Sequence, residues 1–94
     1  MYFAVSCYDK ENSLDLRMAT REKHLAFAAD AGARIIIGGA LLSADDKMIG
    51  SHLIVEADDR AALDGFLASD PYAIAGLFEK MTVKPMKIAF SNPI

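Results

Sequence analysis

Residues 34–57, RIIIGGALLSADDKMIGSHLIVEA, decide the fold. Two β-favouring runs follow one another here with no helical pattern between them. The first is Arg34–Gly39, built on Ile35-Ile36-Ile37, and the second is Ser51–Ala57, built on Leu53-Ile54-Val55. Between them Leu41–Ile49 carries Ser43, Asp45, Asp46 and Lys47. It is longer than the two to five residues usual in a hairpin, so an exposed, mobile loop is expected near a pocket mouth or a subunit edge. Gly38-Gly39 lacks the Lys-Ser/Thr and helix of a phosphate loop and instead marks a bulge or close backbone approach.

A helical pattern flanks this pair on each side. Upstream, Asn12 reads as an N-cap, Asp15 as an acidic first-turn residue and Gly32 as the stop of a helix from about Ser13 to Ala31. Downstream, Asp58 or Asp59 caps a helix to about Ser69 with Ala62, Leu63, Phe66 and Leu67 on one stripe. Pro71 suits the first turn of a short helical piece through Ala75. The outer strands are Tyr2–Tyr8 and Phe78–Val83, with Pro85 interrupting the end of the latter. The order βαββαβ predicts one α+β, ferredoxin-like domain over residues 1–94, with an antiparallel four-stranded sheet and both helices on one face. A wet second face should give strands that alternate. Tyr2-Phe3-Ala4-Val5, Ile35-Ile36-Ile37 and Leu53-Ile54-Val55 do not alternate, which implies cover on both sides. A second copy of the chain supplies that cover most simply, so a homodimer through the sheet face is expected.

Composition narrows the function. The chain has 94 residues, 53% of them apolar, and a net charge of −3. It offers no electrostatic reason to bind nucleic acid or an anionic membrane. No apolar run is long enough to span a bilayer, and the N-terminus has no secretory pattern. The single Cys7 excludes an internal disulfide and suits a reducing cytoplasm, where it reads as a small buried hydrophobe. Two histidines and scattered carboxylates make no metal-ligand spacing, so no metal is expected.

The chemistry is concentrated in a few residues. On a wheel of about 100° per residue, Leu14, Arg17, Arg21, His24, Leu25 and Ala28 share one half of the first helix. Asp15, Glu22, Lys23, Ala26 and Asp30 fill the solvent half. Arg17, Arg21 and His24 fall at spacings of four and three, so their side chains are neighbours. As structure alone, the arginines would snorkel and His24 would be a satisfied, partly buried histidine. As a site, they make a pocket floor, with His24 carrying protons and an arginine binding an anion. Asp70-Pro71-Tyr72 is a common helix-start cap. This fold packs its helices side by side, so Asp70 can also reach His24, fix its tautomer and raise the basicity of its other nitrogen. Ser51 and Tyr72 are expected to line the pocket, and His52 to have a structural or interface role. Ser51 has no nucleophile-elbow motif around it.

Arg17, Arg21-Glu22-Lys23-His24-Leu25, Gly38-Gly39, Gly50-Ser51, Asp70-Pro71-Tyr72 and Val83-Lys84-Pro85 together resemble the YciI-like (YCII-related) family. The similarity runs from Tyr2 to about Phe90. It implies a dimeric α+β barrel with an active site on a His-Asp dyad, here His24 and Asp70. It also implies chemistry like that of a chlorohydroxyhydroquinone dehydrochlorinase or of the muconolactone isomerases. Family members often carry Gly-Pro where this chain has Gly39-Ala40. The expectation is a small enzyme that needs no cofactor. His24 would be general base and acid, Asp70 its orienter, and Arg17 or Arg21 the holder of a small acidic or phenolic substrate. The alternative is a non-catalytic dimeric module that binds a small molecule or anion.

Overall fold

The computed structural model describes residues 1–31 and 33–92. The element order is β1 (Tyr2–Asp9), α1 (Leu14–Ala29), β2 (Arg34–Leu42), β3 (Met48–Glu56), α2 (Arg60–Ala68), α3 (Pro71–Ile74) and β4 (Phe78–Met86). The four strands form one antiparallel sheet in the order β2-β3-β1-β4. This is the ferredoxin-like α+β arrangement expected from the chain order.

The register assigns the faces. Phe3, Val5 and Cys7 of β1 stand opposite Val55, Leu53 and Ser51 of β3. All six are buried, and Leu63 and Leu67 of α2 join the apolar ones in the core. Burying such side chains contributes about 1.5–3 kcal/mol for each large one. Their neighbours Tyr2, Ala4 and Ser6 face the other way and are half-buried. β1 therefore alternates in burial although its sequence does not alternate in polarity.

Local chemistry explains the element ends, and several differ from expectation. Asp59 caps α2, its carboxylate accepting from Ala62 N–H at 2.8 Å. Ser13, not Asn12, occupies the N-cap of α1, and its side chain makes no capping bond. Asn12 takes a left-handed φ of 57° instead. The expected Gly32 stop lies outside the described residues. Pro85 sits inside β4, which is tolerated because β4 is an edge strand.

The expected long loop is shorter than its composition suggests, because strand takes both of its ends. β2 continues to Leu42 and β3 begins at Met48, leaving a five-residue connection, Ser43–Lys47. It is tied at its neck. Ser43 N–H donates to Lys47 O at 2.8 Å, and Lys47 N–H donates to Ser43 Oγ at 3.2 Å. Ser43 Oγ also donates to Asp45, which holds that carboxyl below its ordinary range. The register of β2 with β3 shifts at Ile36, between Ile35 and Ile37, and again between Leu41 and Leu42, rather than at Gly38-Gly39. The close approaches lie beside these shifts: a Cβ on Gly38 would stand 2.5 Å from Leu53 Cδ2, and one on Gly50 would collide with the backbone oxygen of Cys7.

Candidate functional site

α1 lies against α3, and their contact creates the centre of the site. Asp70 is the N-cap of α3 and Pro71 follows it in the first turn. Asp70 Oδ1 accepts from Tyr72 N–H at 2.9 Å. The same oxygen lies 2.8 Å from His24 Nδ1. A carboxylate so placed can only accept, so Nδ1 carries the proton and Nε2 is left as the basic nitrogen. Among the described residues no protein group bonds Nε2. The imidazole also stacks on Tyr72, with ring centroids 4.0 Å apart and planes 13° from parallel. Two contacts at right angles, one polar and one stacked, thus fix the ring.

Arg17 meets the same Tyr72 ring, its guanidinium 4.8 Å from the centroid. Arg17 is buried and almost fully engaged. Nη1 donates to both Asp9 oxygens, at 3.1 and 3.0 Å, and Nη2 donates to Ser51 Oγ at 2.6 Å. Only Nε, also buried, lacks a partner. Arg21 is exposed and makes no ion pair among the described residues. The free cation of the site is therefore Arg21.

Burial raises the Tyr72 phenol above its ordinary value of 10.0, against the lowering pull of Arg17 and Arg21. Burial first, then the charges of Asp70 and Asp9, push the Cys7 thiol from 9.0 up to about 12. A thiol held this way is not a nucleophile.

These side chains open on a cavity of about 250 Å³. Arg17, Arg21, His24 and Tyr72 from the helices line it, together with Ser51 of β3 and Ile35, Gly38, Gly39 and Ala40 of β2. Asp70 is not on the wall but behind His24. A larger cleft of about 630 Å³ lies elsewhere, lined by Phe27, Phe66, Arg34 and Glu56 among others. Its ion pair is long and exposed, 3.4 Å between Arg34 and Glu56, and it contains no oriented base. The smaller cavity is the one lined by the oriented imidazole. His52 is on the opposite sheet face, with Nδ1 2.8 Å from Ser6 Oγ. Among the described residues no group of three or more His, Cys, Asp and Glu is placed to hold a metal ion. No helix among the described residues is long and apolar enough to cross a membrane.

The inward line of α1 differs from the expected half. Arg17 is buried, and Thr20, His24, Phe27 and Ala28 are half-buried, whereas Leu14 and Leu25 are exposed. Asp9 joins the site although the helical spacing does not point to it. The signal lay in strand parity: Phe3, Val5 and Cys7 point inward, and Asp9 continues their series.

The profile of the YCII-related domain matches residues 1–87. An uncharacterised protein of Haemophilus influenzae is 33% identical over 98 residues, spanning 96% of this chain and all of that protein. Protein YciI of Escherichia coli O6:H1 is 31% identical over 99 residues, with the same coverage of this chain and again 100% of its own. A solved structure, 5-chloro-2-hydroxyhydroquinone dehydrochlorinase (TftG) from Burkholderia phenoliruptrix AC1100 in complex with 2,5-dihydroxybenzoquinone, superposes with a TM-score of 0.87. It is 35% identical, covering 93% of this chain and 94% of that one.

Proposed function

The chain belongs to the YCII-related family, and on that footing we propose that it is a small general acid–base enzyme acting on a single-ring acidic or phenolic molecule. The observation that carries this reading is the His24–Asp70 contact at 2.8 Å, which leaves Nε2 unbonded on a residue that lines the cavity. A base needs a fixed tautomer, an accessible lone pair and room for a substrate, and these three conditions meet at one imidazole. The dehydrochlorinase likeness, at 35% identity over nearly the whole chain, supports the same class of chemistry. A cavity of about 250 Å³ lies just below the range of drug-sized sites and suits one substituted ring.

His24 Nε2 takes a proton from the substrate. The electron pair left behind either expels a ring substituent such as chloride as its anion, or is reprotonated at another carbon by the imidazolium. The first outcome is an elimination and the second an isomerisation. Only protons and the leaving anion move, so the step calls for no metal or organic cofactor. Asp70 steadies the imidazolium while it exists. Arg21 draws the acidic substrate to the mouth. The working unit is a homodimer joined through the sheet face that the helices leave open, and the single reduced Cys7 suits a cytoplasmic setting.

The deciding experiment screens chlorinated hydroxyhydroquinones and small aromatic acids by thermal shift, then follows chloride release or proton exchange for those that bind. His24→Ala is expected to lower the rate by about 10²–10⁴ with the fold intact. Turnover by His24→Ala at the wild-type rate would overturn the mechanism and leave a binding module.

A further inference from the structure

Removing a proton leaves negative charge on the substrate, and that charge needs a donor. Resting on the function proposed above, we propose that the Ser51 hydroxyl is this donor. The buried Asp9–Arg17 pair turns it toward the cavity, and it recognises an ionised ring oxygen, a phenolate or enolate. Ser51 is buried on β3 and lines the cavity. Its oxygen accepts from Arg17 Nη2 at 2.6 Å, a short charge-assisted bond. A guanidinium has no lone pair to accept with, so the hydroxyl proton must point elsewhere. Among the described residues no acceptor takes it. A buried donor without an acceptor is unfavourable, and the open volume beside it is the cavity. Donation from Arg17 into the Ser51 lone pair also makes the O–H a stronger donor.

Arg17 is a weaker anion site than its charge suggests. Asp9 holds Nη1 through both oxygens and balances its charge, and Ser51 takes one of the two hydrogens of Nη2. Its unpaired Nε is enclosed. Arg17 and Asp9 are thus positioning residues that act through Ser51. During the reaction His24 takes the proton and the electron pair spreads through the ring onto an oxygen. Ser51 O–H donates a hydrogen bond to that oxygen without giving up its own proton. The preferred substrate is a ring whose oxygen is conjugated to the atom losing the proton, because only then does the charge reach Ser51.

The test uses 4-nitrophenol, whose ionised form is coloured, titrated against pH in the presence of the purified protein. The bound probe is expected to ionise at lower pH than the free probe. Ser51→Ala should weaken phenolate binding about tenfold or more and abolish most of that displacement. Ser51→Thr, which keeps a hydroxyl, should restore it. If Ser51→Ala fails to fold, Ser51→Cys, a weak donor, should show the same loss. Arg17→Lys, a point charge that cannot fork between Asp9 and Ser51, should reduce the displacement in the wild-type background but not in Ser51→Ala. The proposal is overturned if Ser51→Ala keeps the displacement, or if the wild type fails to prefer the phenolate. Turnover by His24→Ala judges the base and probe ionisation judges Ser51, so either can fall without the other.

Discussion

One carboxylate oxygen at position 70 serves two partners, the Tyr72 amide and the His24 imidazole. Substitutions there separate the two. Asp70→Asn keeps an oxygen that can cap α3 but removes the charge that steadies an imidazolium. Turnover should fall, by less than the 10²–10⁴ expected for His24→Ala, while substrate affinity by calorimetry stays close to wild type. Asp70→Ala should in addition lower stability by about 1 kcal/mol through loss of the cap, read from the urea midpoint. Arg21→Ala should raise KM and leave kcat near wild type, since a mouth cation acts on binding. The His24–Asp70 approach was legible in the sequence, because helical spacing turned His24 inward and the βαββαβ order lays its helices together. The quenching of Arg17 was not legible from its helix alone. Its partner, Asp9, closes a strand, and only the inward parity of Phe3, Val5 and Cys7 points to it.

The strands and helices followed from apolar runs and cap residues, and the errors fell where backbone geometry outweighed composition. Ser43, Asp45, Asp46 and Lys47 looked like a long loop. In fact Ser43 and Asp46 close a short turn, the latter at a φ of 63°. Apolarity on both faces of β1 hid an alternation that the register with β3 imposes. Two glycines test the strand contacts. Gly50→Ala would drive a methyl into the Cys7 carbonyl, a backbone atom that cannot swing away. It should cost about 1–3 kcal/mol or more, seen as a drop in the urea midpoint. At Gly39 nothing lies within 4 Å of an added Cβ. Gly39→Ala should therefore leave the midpoint unchanged or slightly raised.

At the level of the molecule, the face carrying Tyr2, Ala4 and Ile54 is only half-buried in one copy. If two copies cover it, sedimentation should report a dimer at micromolar concentration, with an interface of roughly 1,200 Å² or more in total. Ile54→Lys should shift it toward monomer. A monomeric wild type would remove the sheet-to-sheet arrangement. Alkaline stability gives an independent check on the interior. The unfolded Cys7 thiol ionises near 9.0, whereas burial holds the folded one up to about 12. Between those values the unfolded chain releases its proton first, so stability should be full below pH 9 and fall as pH rises toward 12. Cys7→Ala should flatten that fall in urea titrations taken across this window, apart from any uniform offset caused by the smaller side chain.

The two walls of the cavity differ in how freely mutation can explore them. On the α1 and α3 side, Arg17, His24 and Tyr72 are each bound to another side chain by a hydrogen bond or a stacked ring, so a change at one disturbs its neighbours. Beyond Ile35, β2 lines the cavity with the small residues Gly38, Gly39 and Ala40. Gly38 is fixed by Leu53, but Ala40 pairs with Ser51 in register and faces the cavity with only a methyl group. Drift at position 40 would reshape what enters without touching what reacts. Lineages descended from a chain like this one should therefore have diversified their diet through a single strand while inheriting the chemistry unchanged.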